Sequence, residues 1–313
     1  MTLRLLLTGN GKQGQKIIKI IERVSEECLL DVQLRSIDLR IESPNMSDVD
    51  ACIVCTPNGA HLDNCEQLAV LGIPVFLEKP ISNRTVNAEQ LLDLFSGDPS
   101  SIFVNYNWVN GELFKTLKSV IDSGIIGDVS HLSFACGHGY SFNKSFDSDW
   151  RSTQASTREM VGVHLVHLAL SLFPDLQIKD VYDSSVSTSS RKKGYYDASS
   201  IVLIGIRLTA YLRVSYATAY HCHILMHGSD GELVYDGDEL IVRAPRDTFD
   251  MQGRYAQPKV VLQKKISWSE DLSESSYKSV RQFILNVESG QPVSSQRENQ
   301  IALKANQVID LFQ

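Results

Sequence analysis

At 313 residues the chain is long enough for two domains with substantial cores. Its 43% hydrophobic and 21% charged content is that of an ordinary soluble globular protein. A formal charge of −7 argues against a general nucleic-acid-binding role, and no apolar run reaches the length of a membrane span.

The first stretch, Leu3 to Thr8, is apolar and lacks a small-residue cleavage site. It reads as a strand and not as a signal peptide. Gly9-Asn10-Gly11-Lys12-Gln13-Gly14 follows at once, and apolar residues at helical spacing come next. A G-x-G-x-x-G run between strand and helix predicts a dinucleotide-binding turn. Gly9 permits the tight turn, Gly11 lets backbone approach a pyrophosphate, and Gly14 lets helix pack on strand. The alternative is a glycine-rich strand-to-helix turn with no ligand.

A second strand is predicted within Leu30 to Ile37, ending at Asp38. An acid there suits a ribose 2′-hydroxyl and NAD, while Arg35 and Arg40 suit a 2′-phosphate and NADP. A solvated strand-end charge is the competing reading for Asp38. Only eleven residues separate Asp38 from Asp50, too few for a further helix and strand. A third strand from Ala51 stops at Thr56-Pro57-Asn58, followed by His61 and a helix. A fourth, Pro74 to Leu77, stops at Glu78-Lys79-Pro80. This apolar run bounded by glycine and proline reads as a buried parallel strand. Ligands bind at the carboxyl ends of such strands, so Glu78 and Lys79 are delivered to the rim. A helix from Ala88 to Phe95 and a strand from Ile102 to Val104 complete an alternating β/α pattern, which predicts a doubly wound parallel sheet.

The ordered set of glycine loop, Thr56-Pro57-Asn58 with His61, and Glu78-Lys79-Pro80 resembles the Gfo/Idh/MocA family of NAD(P)-dependent sugar and polyol oxidoreductases. The resemblance implies an N-terminal Rossmann domain, residues 1–105. It implies a C-terminal α+β domain, residues 106–313, built on a mostly antiparallel open sheet for substrate binding and oligomerisation. Asn105-Tyr106-Asn107-Trp108 resembles the family's entry into the substrate side, and Trp150-Arg151 a position near the nicotinamide. Residues 159–170 resemble a family segment of pattern Asp-x-Gly-x-His-x-x-Asp. Gly162 and His164 match; Met160 and His167 stand where the two aspartates are usual. Methionine has no proton to shuttle, and Glu159 is one position off the helical face.

By this resemblance NAD or NADP is the cofactor, Lys79 contacts the reacting oxygen, and His164 is the acid/base. Asn10, Lys12, Gln13, Thr56, Pro57, Asn58, His61 and Glu78 join the glycines and Asp38 around the cofactor. Tyr106, Trp108, His138, Tyr140, Arg151 and His167 are substrate-side candidates. The expected partner is a small sugar or polyol, with no nucleic acid and no membrane. The expected assembly is a homodimer or homotetramer through the C-terminal sheet. The alternative is a cofactor-binding regulator of the same fold, without turnover.

The remaining cluster readings are plain ones. Cys52-Ile-Val-Cys55 lies in an apolar run, and six scattered cysteines suit a reducing cytoplasm. His164 and His167 share a helical face, but nothing at fitting spacing completes a metal site, so none is expected. His221 and His223 share a strand face, and packing or surface exposure is the expectation. Gly228-Ser229-Asp230-Gly231 predicts a hairpin turn, and Ser184 to Ser190 reads as part of a polar loop. Helices are predicted over Tyr277 to Val287 and Asn299 to Phe312.

Overall fold

A computed structural model describes residues 2–40, 49–143, 146, 156–187, 196–246 and 249–311. The chain divides into two compact units, Met1–Asn110 with Glu274–Leu311, and Gly111–Ser273. Among the described residues no helix is long and apolar enough to cross a membrane.

The first unit is a five-stranded parallel sheet in the order β2-β1-β3-β4-β5. Its strands are β1 (Thr2–Thr8), β2 (Asp31–Ile37), β3 (Ala51–Val54), β4 (Val75–Glu78) and β5 (Ile102–Asn105). Every residue of β3 and β4 is buried, as expected for strands covered on both faces. Helix α1 (Lys12–Cys28) buries Gly14, Ile17, Ile21 and Val24 at helical spacing. Helices α2 (His61–Ala69) and α3 (Thr85–Asp93) make the later crossovers. The strand order reverses between β1 and β3, and that switch point opens a crevice at the carboxyl ends of the two strands.

The second unit carries an eight-stranded sheet in the order β13-β12-β11-β10-β6-β9-β8-β7. Its strands are β6 (Val129–Gly137), β7 (Asp180–Val186), β8 (Ala198–Ile204), β9 (Thr209–Ser215), β10 (His221–Gly228), β11 (Glu232–Tyr235), β12 (Glu239–Arg243) and β13 (Val260–Lys265). All neighbours are antiparallel except the interior pair β6 and β9. Helices α4 (Glu112–Asp122) and α5 (Val163–Leu172) belong to this unit. The start of α4 is capped from far along the chain: the Glu112 and Leu113 amides donate to the two oxygens of Asp271 (2.6 and 3.1 Å). A Cβ on Gly111 would lie 2.4 Å from Asp271 Oδ2, so glycine is needed beside this cap.

Two expectations are corrected. The closing helices α6 (Trp268–Glu288) and α7 (Gln296–Asp310) were expected inside a second domain running to residue 313. From Glu274 on they belong to the first unit. The reason is apolar: Val280, Phe283 and Ile284 enter the core made by Leu5, Leu7, Ile17, Ile21 and Phe76. The Phe76 and Phe283 rings meet edge to face, centroids 5.3 Å apart. The second correction is Ser184 to Val186, read as loop and found as the end of β7. Its polar residues suit an edge strand whose outer side faces water.

Candidate functional site

The crevice begins where β1 ends. Gly9 has φ +95°, open to glycine without strain. A Cβ there would lie 2.4 Å from the Cys55 carbonyl carbon and 2.5 Å from the Thr56 nitrogen, so the loops after β1 and β3 touch backbone to backbone. A Cβ on Gly14 would lie 2.1 Å from Gly9 O. Gly11 differs: a Cβ there meets nothing within 4 Å. Gly9 and Gly14 therefore close the turn, and Gly11 leaves open space in front of the α1 N-terminus. No acidic side chain stands in the first turn of α1, and no side chain caps it. The helix N-terminus and its positive dipole face that space, which fits a pyrophosphate. Asn10 accepts from the Gln15 side chain, and Lys12 is exposed beside the loop.

The end of β4 is tied to this loop by side chains. Gln13 Nε2 donates to Glu78 Oε1 (2.8 Å), and Asn105 Nδ2 donates to the same oxygen (2.7 Å). Ser279 Oγ, on α6, donates to Asn105 Oδ1 (2.6 Å). Glu78 is buried, and burial raises its pKa against the two amide donors and the Lys79 and Lys16 ammoniums. Lys16 Nζ donates to Ser276 Oγ (2.9 Å); desolvation lowers its pKa and the Glu78 charge opposes that. Lys79, next in the chain, is half-buried at the strand tip.

His61 is 1% exposed. Its Nδ1 lies 3.0 and 3.1 Å from the Pro80 and Ile81 carbonyl oxygens, and Nε2 lies 3.0 Å from Thr56 O. Expected at the cofactor, it instead clamps the turn after β3 to the turn after β4. Burial lowers its pKa, with Lys79 adding to the shift. Asn64 Nδ2 donates to Thr56 Oγ1 (3.2 Å), holding the same turn. Asn58 Nδ2 is buried without a hydrogen-bond partner, a donor for which the described residues offer no acceptor.

Asp38 follows β2 and is claimed by Arg40. Arg40 Nε donates to Asp38 Oδ1 (2.8 Å) and Nη2 to Oδ2 (2.5 Å), with the Arg40 amide on Oδ1 (3.0 Å). These bonds hold the carboxyl down at about 2. The acid and the base weighed separately in the sequence are thus one exposed pair. Arg35 is exposed on β2. Most of the short stretch after Arg40, residues 41–48, lies outside the described residues. Cys52 and Cys55 are core residues of this unit, and burial pushes the Cys52 thiol up to about 12.

Tyr106 is 3% exposed, so its ring belongs to the packed interior and not to an open substrate surface; Trp108 is half-buried.

In the second unit, a π-helical turn over Arg158–Gly162 runs into α5. Such turns recur at functional sites. Arg158 Nη1 donates to Asp183 Oδ2 of β7 (2.8 Å) in a buried ion pair that anchors this turn. Glu159 faces backward: the Ser156 amide donates to Glu159 Oε2 (3.4 Å) and the Glu159 amide to Ser156 Oγ (3.3 Å). It therefore does not replace the missing acid. Met160 packs with Val161 against Phe146 and Tyr216. His164 and His167 are both buried. Burial drives His167 down to about 3, so it is neutral near pH 7; Ser171 Oγ lies 3.4 Å from its Nδ1. Among the described residues no group of three His, Cys, Asp or Glu side chains could hold a metal ion. His138 is exposed and Tyr140 half-buried beyond the end of β6. Arg151 and Trp150 lie outside the described residues.

The family model for an oxidoreductase family with an NAD-binding Rossmann fold matches residues 6–106, and the GFO/IDH/MocA C-terminal domain matches residues 114–234. The chain belongs to the Gfo/Idh/MocA oxidoreductase family. It is similar to inositol 2-dehydrogenase of Rhizobium meliloti (strain 1021), 29% identical over 146 residues, 41% of this chain and 43% of that protein. It is similar to dTDP-3,4-didehydro-2,6-dideoxy-alpha-D-glucose 3-reductase of Streptomyces violaceoruber, 33% identical over 86 residues, 28% of this chain and 25% of that protein. The chain matches between 25% and 55% of the length of five such relatives. Among solved structures it resembles levoglucosan dehydrogenase in complex with NADH and levoglucosan, with TM-score 0.75, 15% identity and coverage of 100% of this chain and 98% of that one. An inositol dehydrogenase homologue with NAD+ from Azotobacter vinelandii gives TM-score 0.73 at 16% identity, covering 98% and 93%. At these identities the structures establish the fold.

Proposed function

We propose that the chain is an NAD(P)-dependent oxidoreductase acting between a secondary alcohol and a ketone of a sugar, sugar nucleotide or polyol. One observation carries the reading. Glu78 Oε1 accepts from Gln13, two residues beyond the open Gly11, so the Lys79-bearing strand tip is tied to the first turn of the phosphate-facing helix. The bound nicotinamide supplies the hydride acceptor or donor.

The chain's own residues do the rest. Gly9, Gly11 and Gly14 shape the pyrophosphate seat, and Asn10, Lys12 and Gln13 border it. Asp38 with Arg40 stands toward the adenosine ribose. NAD fits when Asp38 keeps an oxygen for the 2′-hydroxyl, and NADP when Arg40 leaves it for a 2′-phosphate. Thr56, Pro57 and Asn58 line the nicotinamide approach, braced by His61, and the Asn58 amide is the donor still to be satisfied. Glu78 holds Lys79 in place. Lys79 donates to the reacting oxygen, and His164 takes the hydroxyl proton or returns it. Trp108, His138, Tyr140 and Arg151 are the substrate-side residues; Tyr106 and His167, also candidates, are each buried within their own unit. Titration with NADH and NADPH, then absorbance at 340 nm with inositols, pyranoses and sugar nucleotides, tests this. Absence of binding to either nucleotide overturns it.

A second reading, a regulator that binds the cofactor without turnover, draws on Met160 lying against Phe146 and Tyr216 where an acid is usual. Nucleotide binding without absorbance change across the panel selects it.

The outward face of the eight-stranded sheet suits pairing of two copies in a cytoplasmic homodimer or homotetramer. One row across it reads Tyr182, Val202, Tyr211, Ser133, Leu225 and Val234, mostly apolar. Sedimentation at several concentrations tests it.

A further inference from the structure

Helix α6 carries a buried row of hydroxyls. Ser275, Ser276 and Ser279 are 1%, 5% and 0% exposed. Spacings of three and four residues place them on one side of the helix. The same helix buries Val280, Phe283 and Ile284 in the apolar core. Hydroxyls are a costly choice at such positions, because a buried one loses free energy unless it is hydrogen-bonded. Each of the three has that bond, and each leads to α1 or to the end of β5. Asn107 Nδ2 donates to Ser275 Oγ (2.9 Å) and Ser276 Oγ (3.0 Å). Lys16 Nζ also donates to Ser276 Oγ (2.9 Å). Ser279 Oγ donates to Asn105 Oδ1 (2.6 Å), and Asn105 Nδ2 donates to Glu78 Oε1 (2.7 Å).

The last two bonds form a directed chain. A hydroxyl can donate or accept, whereas each end of a carboxamide has one role. With Ser279 donating to Oδ1, the Asn105 carbonyl is engaged and its NH2 group is aimed at the carboxyl. The backbone supports this, since Asn105 stands opposite Glu78 in the β4–β5 register. Gln13 reaches the same Oε1 from the first turn of α1 (2.8 Å). Burial of Glu78 favours its neutral form, and the two amide donors oppose that. Among the described residues, the ionisable groups that act on it are Lys79 on its own strand and Lys16 on α1. The Cys55 thiol after β3 also senses it; burial and the Glu78 charge push that thiol up, so it stays neutral. From β5 and α6 come the uncharged Asn105 and Ser279.

We propose that Asn105 and Ser279 are positioning residues for Lys79: they hold Glu78 as an oriented carboxylate at the strand tip. The inference rests on the oxidoreductase reading for the role of Lys79. Ser279 acts through Asn105, and Asn105 acts through Glu78. A Glu78 that takes up a proton becomes a donor at one oxygen and loses the charge that keeps the neighbouring ammonium in place. The closing part of the chain, 174 residues beyond Asn105, thereby enters the charge state of the site.

Infrared difference spectroscopy on the full chain tests this without cofactor or substrate. The C=O stretch of the protonated Glu78 carboxyl is followed against pH, with Glu78→Gln as the control that assigns the band. In Asn105→Leu the pH midpoint of that band should rise by about one unit or more, the scale of a lost hydrogen bond to a charged group. Ser279→Ala should move it in the same direction by a smaller amount, and Ser279→Thr, which keeps the hydroxyl, should hold the parent midpoint. A merely structural role would lower stability in urea and leave the Glu78 midpoint where it was. A midpoint unmoved in either Asn105→Leu or Ser279→Ala overturns the proposal, and Ser279→Ala decides alone if Asn105→Leu does not fold. NADH affinity is read in the same samples by fluorescence. An unmoved midpoint with NADH binding intact sinks the positioning role alone, and failure of the parent chain to bind NADH sinks the oxidoreductase reading.

Discussion

The rim of the parallel sheet and the segment around His164 handle polarity in opposite ways. At the rim a buried carboxylate is kept and held: Gln13 and Asn105 both donate to Glu78 Oε1, and Ser279 fixes Asn105. Around His164 the usual carboxylate is gone. Met160 faces Phe146 and Tyr216, and His167 is held neutral by burial. The first region is built to hold a charged strand tip in one place beside a phosphate seat. The second spends its buried charge on an anchor, the Arg158–Asp183 pair, and sets an apolar side chain where the carboxylate is usual. Under the proposed function, proton handling then falls to Lys79 and His164 without a carboxylate at position 160.

The contrast is broken most forcefully at Lys79. Lys79→Ala should lower turnover by about a thousandfold, the scale of a lost acid/base group, with far-UV circular dichroism unchanged. Equal turnover in variant and parent would remove the rim from the chemistry. The glycines come next, because they separate folding from binding. Gly9→Ala, driven into the Cys55 carbonyl at positive φ, should cost about 2–3 kcal/mol of stability in urea unfolding. Gly11→Val should leave the unfolding midpoint in place and weaken NADH binding about tenfold or more, since its side chain enters only the open space.

Met160→Asp probes the other side. A carboxylate against Phe146 and Tyr216 should cost about 2 kcal/mol in urea unfolding without raising turnover. A gain in kcat would show that the segment accepts a relay after all.

The pH dependence of stability should also have two directions. His167 has a folded pKa near 3 against 6.5 in the ordinary state, so the unfolded chain binds its proton first. Stability present above pH 6.5 is lost as pH falls toward 3, at up to about 1.4 kcal/mol per pH unit from this group. His167→Leu should shallow that acid limb. Glu78 runs the other way: its raised folded pKa makes the contribution complete below its ordinary 4.5 and lost as pH rises through the raised value. Glu78→Gln should flatten that loss. The smallest effect is at Arg40, which is exposed: Arg40→Ala should shift NADP relative to NAD affinity about threefold, with no change in melting temperature.

What was legible in the sequence was local. G-x-G-x-x-G between strand and helix, an apolar run stopped by Glu78-Lys79-Pro80, and alternating strands and helices announce a Rossmann unit because glycine geometry, burial and period are properties of short stretches. The displaced Glu159 was legible too, since helical phase follows from counting. Partnerships across the chain were not. Gln13 and Glu78 are 65 residues apart, and Asn105 and Ser279 are 174 apart. His61 looked like a cofactor contact and proved a clamp between two turns. Tyr216 was an unremarked strand-end residue and proved part of the packing around Met160. Helix α6 looked like the close of a second domain, and only the apolar core around Phe76 drew Phe283 into the first. By itself the sequence determined which elements form and which residues stand at their ends. The tertiary structure decided which of those ends are tied together, because hydrogen bonds and packing act over ångströms in space and leave no period along the chain.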